Sequence, residues 1–348
     1  MDKQPNGIPE TAAKGVQQRE IRADWSPQWG LRNRHTQSML ASVKLRLPIV
    51  KRRAKGLLEC AEDVILECQD GVKIHGLLSQ HKDRPRESVV LIHGWEGCAD
   101  SLYLLSIAGV LFREGYDIFR LHLRDHGPTH HLNQAMFHAC LLDEICEALQ
   151  QLQPRLATPH WHLVGFSLGG NFALRVGTKA QDYDLKMQRV VGVSPLLHAR
   201  NTLWALENGL PIYRGYFRKK WRRSIAKKAA AFPQQIDVEA FCASTSLTDM
   251  SEYFVTHHTP FSQMQDYFDS YALTGNTLAQ LQVPSTLILS EDDPVIPLED
   301  LAKIRGNRYL DIVRSPYGGH CGFIENYRLD AWVDRYILQL LQTSTLPT

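Results

Sequence analysis

One stretch near the middle of the chain constrains the fold more than any other: Trp161-His162-Leu163-Val164-Gly165-Phe166-Ser167-Leu168-Gly169-Gly170-Asn171. An apolar run stops at a glycine, a serine stands between two glycines, and a helical pattern (Phe172, Ala173, Leu174, Val176) follows. This is the strand–turn–helix setting of the G-x-S-x-G nucleophile elbow, in which a strained serine backbone exposes its Oγ. Side chains at Gly165 and Gly169 would collide with the neighbouring strand and helix. The start of the following helix adds partial positive charge near the serine.

Around this stretch the pattern alternates. Val64–Cys68 and Lys73–Leu78 flank an Asp70-Gly71 turn and predict a β-hairpin. Strands are expected at 88–92, 116–121, 161–166, 190–193, 285–289 and 309–313. Helices are expected at 101–113, about 135–152, after Ser167, and at 326–341. Strands alternating with helices predict an α/β fold with a mostly parallel central sheet and helices on both faces. The rhythm breaks between about Leu196 and Gln280, where Tyr213–Ala231 carries eight Lys or Arg. A segment of that length is too long for a plain loop and is expected to form a helical cap. The expected division is a flexible leader over 1–24, a core made of 25–195 and 281–348, and a cap over 196–280. Regular structure is expected from about Ala61. The cluster from Lys44 to Lys55 is expected to be a solvated basic face.

Ser167 needs a base, and the base needs an orienting acid. In this architecture they follow in the order serine, acid, histidine. After the strand at 285–289 stands Glu291-Asp292-Asp293-Pro294. Asp293 is the better candidate because its turn leads into a helix, and Asp292 is the runner-up. Of fifteen histidines, His320, in Gly318-Gly319-His320-Cys321-Gly322, alone follows the last expected strand. The oxyanion hole should use the backbone N–H of Leu168 and that of Trp95, in the turn His93-Gly94-Trp95. Glu96 is expected to point away from it.

Four histidines lie close together, at His122, His126, His130 and His131, with Asp125 among them. A spacing of four suits metal ligands on a helix. Gly127 and Pro128 break any helix there, however, and no H-E-x-x-H occurs. The loop Arg124–Gly127 is better read as rigidified by hydrogen bonds beside the pocket. Neither a phosphate-binding nor a dinucleotide glycine motif is present, so no cofactor and no metal is expected. The net charge of +2 gives no argument for nucleic acid. Seven cysteines with irregular spacing and no C-x-x-C suit reduced thiols, hence a cytoplasmic setting. Met1–Glu20 lacks the apolar region of a secretory signal. In the basic stretch, Arg218, Lys219, Lys220, Arg222, Arg223, Lys227 and Lys228 interleave with Phe217, Trp221 and Ile225. This pattern suits either a solvated face with Trp221 packed inward or weak peripheral contact with an anionic membrane.

His93-Gly94-x-x-Gly97, Gly165 to Asn171, Glu291 to Pro294, and Gly318-Gly319-His320-x-Gly322-Phe323 together resemble the YheT-like branch of the α/β-hydrolases. Arg34-His35-Thr36-Gln37-Ser38 and Arg124-Asp125-His126-Gly127 are similar to that branch too. The likeness runs from about residue 29 to 340. It implies an α/β-hydrolase fold and a serine carboxylic-ester hydrolase whose triad falls on Ser167, Asp293 and His320. Eukaryotic relatives act on lipid esters, some transfer acyl groups to alcohols, and they often carry an N-terminal membrane anchor, which is not expected in this chain. The expectation is hydrolysis of short- to medium-chain esters through an acyl-enzyme, on a small-molecule or lipid ester. An acyltransferase and a lipid-active esterase use the same residues. A non-catalytic binding module is the remaining alternative.

Overall fold

The computed structural model describes residues 18–83, 85–234 and 236–343. Nine strands form one sheet in the order β1-β9-β8-β7-β6-β4-β5-β3-β2. They are β1 (Arg19–Arg22), β2 (Ala61–Glu67), β3 (Lys73–Ser79), β4 (Ser88–Ile92), β5 (Asp117–Leu121), β6 (Trp161–Phe166), β7 (Met187–Val193), β8 (Ser285–Ser290) and β9 (Leu310–Ser315). The pairs β2–β3 and β3–β5 are antiparallel, and the rest are parallel. In the expected hairpin, Asp70 and Gly71 both adopt positive φ at the turn. The chain runs from β4 outward to β5 and then crosses back to β6 on the other side of β4. That reversal opens a crevice at the carboxyl ends of β4 and β6, where ligands bind in open α/β sheets.

Residues of β4 alternate between two cores. Val90 and Ile92 join the apolar cluster on one face, while Val89 and Leu91 join that on the other. The helices of the core are α1 (Arg34–Ser42), α2 (Leu47–Arg53), α3 (Lys55–Glu59), α4 (Leu102–Arg113), α5 (Leu142–Leu152), α6 (Leu168–Gly177) and, at the end, α12 (Trp332–Gln342). Between β7 and β8 lie α7 (Ala199–Asn208), α8 (Pro211–Ala231), α9 (Val238–Ala243), α10 (Leu247–His258) and α11 (Met264–Ser270).

Several expectations are corrected. Most of the leader expected over 1–24 lies outside the described residues, but Arg19–Arg22 is an edge strand paired with Asp311–Arg314. Regular structure also precedes Ala61. The Asn33 side chain accepts from the N–H groups of His35 and Thr36 and caps α1. The basic face is not wholly solvated, because Arg46 is buried and donates to the carbonyls of Leu40 and Leu329. The helix expected from 135 begins at Leu142. The carbonyl of Ala135 is taken by Lys228 and Arg124, and the N–H of Ala139 by the Tyr267 hydroxyl. A helix needs both groups for itself. The last helix starts at Trp332 because the Asn326 side chain holds the N–H groups of Arg328 and Asp330 in a turn.

The segment 125–137 is held against α8 by a buried ion pair. Lys228, 1% exposed, bonds Asp125 Oδ1 at 2.7 Å, and it also donates to the carbonyls of Asn133 and Ala135. Removing one partner of such a pair leaves an uncompensated buried charge, at a cost of roughly 3–5 kcal/mol. Lys228→Met is expected to lower the urea unfolding midpoint accordingly, and adding Asp125→Asn should recover part of the loss. An unchanged midpoint for Lys228→Met would refute the role given to this pair.

Candidate active site

The sharp turn after β6 follows from sterics. A Cβ on Gly165 would stand 2.0 Å from the Gly169 carbonyl oxygen, and one on Gly169 would stand 2.4 Å from those of Ile92 and His93. No side chain fits, so β4, β6 and α6 meet at backbone distance. Ser167 pivots there with φ 53° and ψ −120°, a conformation that L-residues rarely adopt. It is held by hydrogen bonds on both sides. Its N–H donates to the Val193 carbonyl, and its carbonyl accepts from Asn171 and Leu196.

Ser167 Oγ lies 3.0 Å from His320 Nε2, and His320 Nδ1 lies 2.9 Å from Asp293 Oδ2. A carboxylate only accepts, so Nδ1 carries the proton and Nε2 presents its lone pair to Ser167. Burial disfavours charge on this ring, but Asp293 and then Cys321 outweigh it, and the imidazole pKa stands well above its ordinary value. The other oxygen of Asp293 accepts from the N–H groups of Val295 and Ile296, which fixes the carboxylate plane. Asp292 does not reach the imidazole. It bonds the Ser290 hydroxyl and accepts from Gly319 N–H, so it holds the loop that carries His320.

The same loop has a brace that sequence reasoning did not assign. Ser38 Oγ accepts from His320 N–H at 2.8 Å and donates to the Arg34 carbonyl. Gln37 bonds the carbonyl and the N–H of Ile324. The motif Arg34–Ser38 was visible, but its role depends on α1 meeting a loop some 280 residues away, which no local pattern encodes. Ser38→Ala leaves the His320 N–H unpaired, a loss of about 1–2 kcal/mol in positioning. The expected result is a kcat lower by about tenfold with KM little changed. A drop confined to KM would show that Ser38 does not position the base.

Beside Ser167, the Tyr103 hydroxyl accepts from Gly94 N–H and fixes the turn after β4. Among the described residues, neither the Trp95 N–H nor the Leu168 N–H has an acceptor. Glu96 continues the turn with φ 55°. Burial raises its carboxyl pKa to about 7, against the opposing pull of Lys220 and Ser224 on α8. It therefore faces the cap helix. Two spaces meet at the Trp95 side chain. An open cleft of about 450 Å³ contains Ser167 and His320 and is lined by Met39, Leu47, Tyr213 and Phe217. An inner cavity of about 130 Å³ runs past Leu168 beneath the cap. Trp95 borders both, stacked on Phe217 at 5.3 Å and edge-on to Trp221 at 5.1 Å.

The clustered histidines do not converge on one point. His122 is bonded to His75 and to Ala99 N–H, His126 to the Arg124 carbonyl, and His130 to Ser224. The loop is indeed tied by hydrogen bonds and borders the inner cavity through Asp125 and His126. In α8, Trp221, Ile225 and Lys228 are buried on one face, and Phe217 stacks on Trp95. The apolar residues interleaved with the basic ones are thus turned inward.

Residues 87–327 match the alpha/beta hydrolase fold family. Protein ABHD15 of Homo sapiens is 28% identical over 158 residues, 44% of this chain and 33% of that protein. Phospholipase ABHD3 of Bos taurus is 22% identical over 267 residues, 74% of this chain and 64% of that protein. The chain thus spans a third of the first relative's length and just under two thirds of the second's. Among solved structures, the esterase Pf2001 of Pyrococcus furiosus superposes with a TM-score of 0.54 at 16% identity, covering 81% of this chain and 92% of that one. No helix among the described residues is long and apolar enough to cross a membrane. With the family match covering more than half of the chain, and with a nine-stranded sheet carrying a serine elbow at its reversal, the protein belongs to the alpha/beta hydrolase fold family.

Proposed function

We propose that the protein is a serine hydrolase of carboxylic esters that works through an acyl-enzyme. The observation that carries this reading is the run of short contacts from Ser167 through His320 to Asp293, beside two N–H groups that have no acceptor among the described residues. Ser167 Oγ attacks the ester carbonyl carbon while His320 Nε2 takes its proton. Asp293 holds the ring and stabilises its charged form. The oxygen that gains charge is met by the Trp95 and Leu168 N–H groups. The tetrahedral species collapses, His320 returns the proton to the leaving alcohol, and the acyl group stays on Ser167. Water, deprotonated by His320, then attacks the acyl-enzyme and releases the acid.

The two spaces divide the substrate. The small, mostly apolar inner cavity suits a short- to medium-chain acyl group, and the wider cleft suits the alcohol. The names of the relatives, a phospholipase and an esterase, agree with an ester substrate.

The test uses p-nitrophenyl esters of increasing acyl length, with rapid acid quench and mass spectrometry. A burst of p-nitrophenol with the acyl mass on the Ser167 peptide is expected, with kcat/KM highest for short to medium chains. No hydrolysis at any length, together with no labelling of Ser167 by a fluorophosphonate, would leave a non-catalytic binding module as the better account. Added alcohol separates hydrolysis from transfer, since free acid as sole product excludes the acyltransferase.

A further inference from the structure

The inner cavity is not lined like a plain hydrocarbon pocket. Its walls are mostly apolar, but three buried polar atoms on residues that line it have no partner among the described residues: His126 Nε2, His138 Nδ1 and Thr202 Oγ1. His126 is 3% exposed and Thr202 7%. Buried polar atoms are nearly always paired, so three orphans around one space point to something that enters it.

Most other polar groups there are already engaged, while the Glu96 carboxyl, which also lines the cavity, faces Lys220 and Ser224 on α8. Lys228 spends its donors on Asp125, Asn133 and Ala135, Asp125 Oδ2 accepts from Phe137 N–H, and Ser224 contacts His130 and the Asp125 carbonyl. The chemistry wanted is then set by His126. Its Nδ1 contacts the Arg124 carbonyl at 2.7 Å, and a carbonyl can only accept, so that nitrogen holds the proton. Burial lowers its pKa to about 4, and Lys220 adds to the effect, so the ring is neutral and Nε2 is a bare acceptor. Its natural partner is an O–H or N–H donor. The Thr202 hydroxyl can give or take a hydrogen bond.

We propose that this cavity is an acyl subsite that selects chains carrying a hydroxyl group, with the hydroxyl donating to His126 Nε2 and Thr202 completing its contacts. The inference deepens the proposed esterase reading and rests on it for the word acyl. Leu168, next to the nucleophile, and Trp95, shared with the cleft that holds Ser167 and His320, put the cavity beside the reacting centre. Its volume, about 130 Å³, is several times the roughly 10–15 Å³ that holds one water. That leaves room for a chain of several carbons. An unsubstituted chain would displace water and leave the orphans unpaired, and sites built to bond a substrate hydroxyl discriminate strongly against the analogue that lacks it.

The experiment has two arms. In the first, kcat/KM is measured for p-nitrophenyl hexanoate and for hexanoates with a hydroxyl at each carbon beyond the second. At least one hydroxy ester is expected to exceed the parent by about tenfold or more. The hydroxy-to-parent ratio should fall to near one in His126→Phe and shrink in Thr202→Val. In the second arm, calorimetry on Ser167→Ala protein compares binding of the corresponding ethyl esters, which are not cleaved, and the same preference is expected. A parent ester equal to or better than every hydroxy ester in both arms overturns the subsite, as does a ratio that neither variant changes. Binding preference without hydrolysis by the wild type supports the subsite and instead sinks the esterase reading.

Discussion

Ser167→Ala protein is expected to fold normally and to lose ester hydrolysis by roughly 10⁴- to 10⁶-fold in kcat, with KM for the same ester changing little. The expected loss is large because in the proposed mechanism Ser167 Oγ is the atom that bonds to carbon, and among the described residues no other hydroxyl contacts His320 Nε2. Folding should survive because Oγ does not hold the turn. The Ser167 backbone is fixed by Val193, Asn171 and Leu196, and the glycines set the crossing. Residual turnover above the uncatalysed rate is expected from the Trp95 and Leu168 N–H groups, which remain in place. The measurement is p-nitrophenyl ester hydrolysis beside a thermal melt. Wild-type rates from a folded Ser167→Ala protein would remove the serine from the mechanism.

Asp293→Asn is expected to lower kcat about 10⁴-fold near neutral pH. An amide can present its NH₂ to Nδ1 and so move the ring proton to Nε2, where the imidazole no longer accepts from Ser167. The pH profile separates this from simple damage. In the proposed mechanism the working form is the neutral imidazole, and the pKa at which the ring gains its charge stands well above the ordinary value of 6.5. Activity should therefore rise with pH through a midpoint above 6.5 and be lost below it. Removing the Asp293 charge removes the leading support for the charged ring, so the acid limb should move to lower pH in Asp293→Asn. Asp292→Asn is the contrasting variant. It weakens one bond to Gly319 N–H but leaves Asp293 on the imidazole. A loss of about tenfold with an unmoved acid limb is expected. An Asp292→Asn protein as impaired as Asp293→Asn would reverse the two roles.

What was legible in the chain followed from local constraint. The elbow is written into five residues because backbone contact at Gly165 and Gly169 permits nothing else. The Asp70-Gly71 turn and the buried strands β4 and β6 were equally plain, since turn chemistry and unbroken apolar runs are short-range signals. Long-range pairing was not. Arg19–Arg22 reads as a polar leader, yet it pairs with β9, and Arg19 meets Asp311 at 3.0 Å. Lys228 sits in a basic run where sequence gives no hint that it alone is sealed against Asp125. The helix expected from 135 failed because its carbonyls are claimed by side chains from elsewhere in the chain. The site shows the same division. Ser167, Asp293 and His320 follow from motif and order, whereas the brace from Ser38 and the orphaned nitrogen of His126 emerge only once distant segments are together.

The brace also bears on how the protein comes into being. His320 N–H is anchored to a residue 282 positions earlier, and β1 pairs with β9, the last strand among the described residues. On a ribosome adding about 5–20 residues per second, the first helices must wait for the other end of the chain before their partners exist. The nucleophile turn and β4 can assemble well before that. A nascent chain halted before residue 320 should hold a formed elbow and yet react with no fluorophosphonate, gaining reactivity only once His320 is made and braced by Ser38. Fluorophosphonate reactivity would then report that β9 and the His320 loop have met the segments made first.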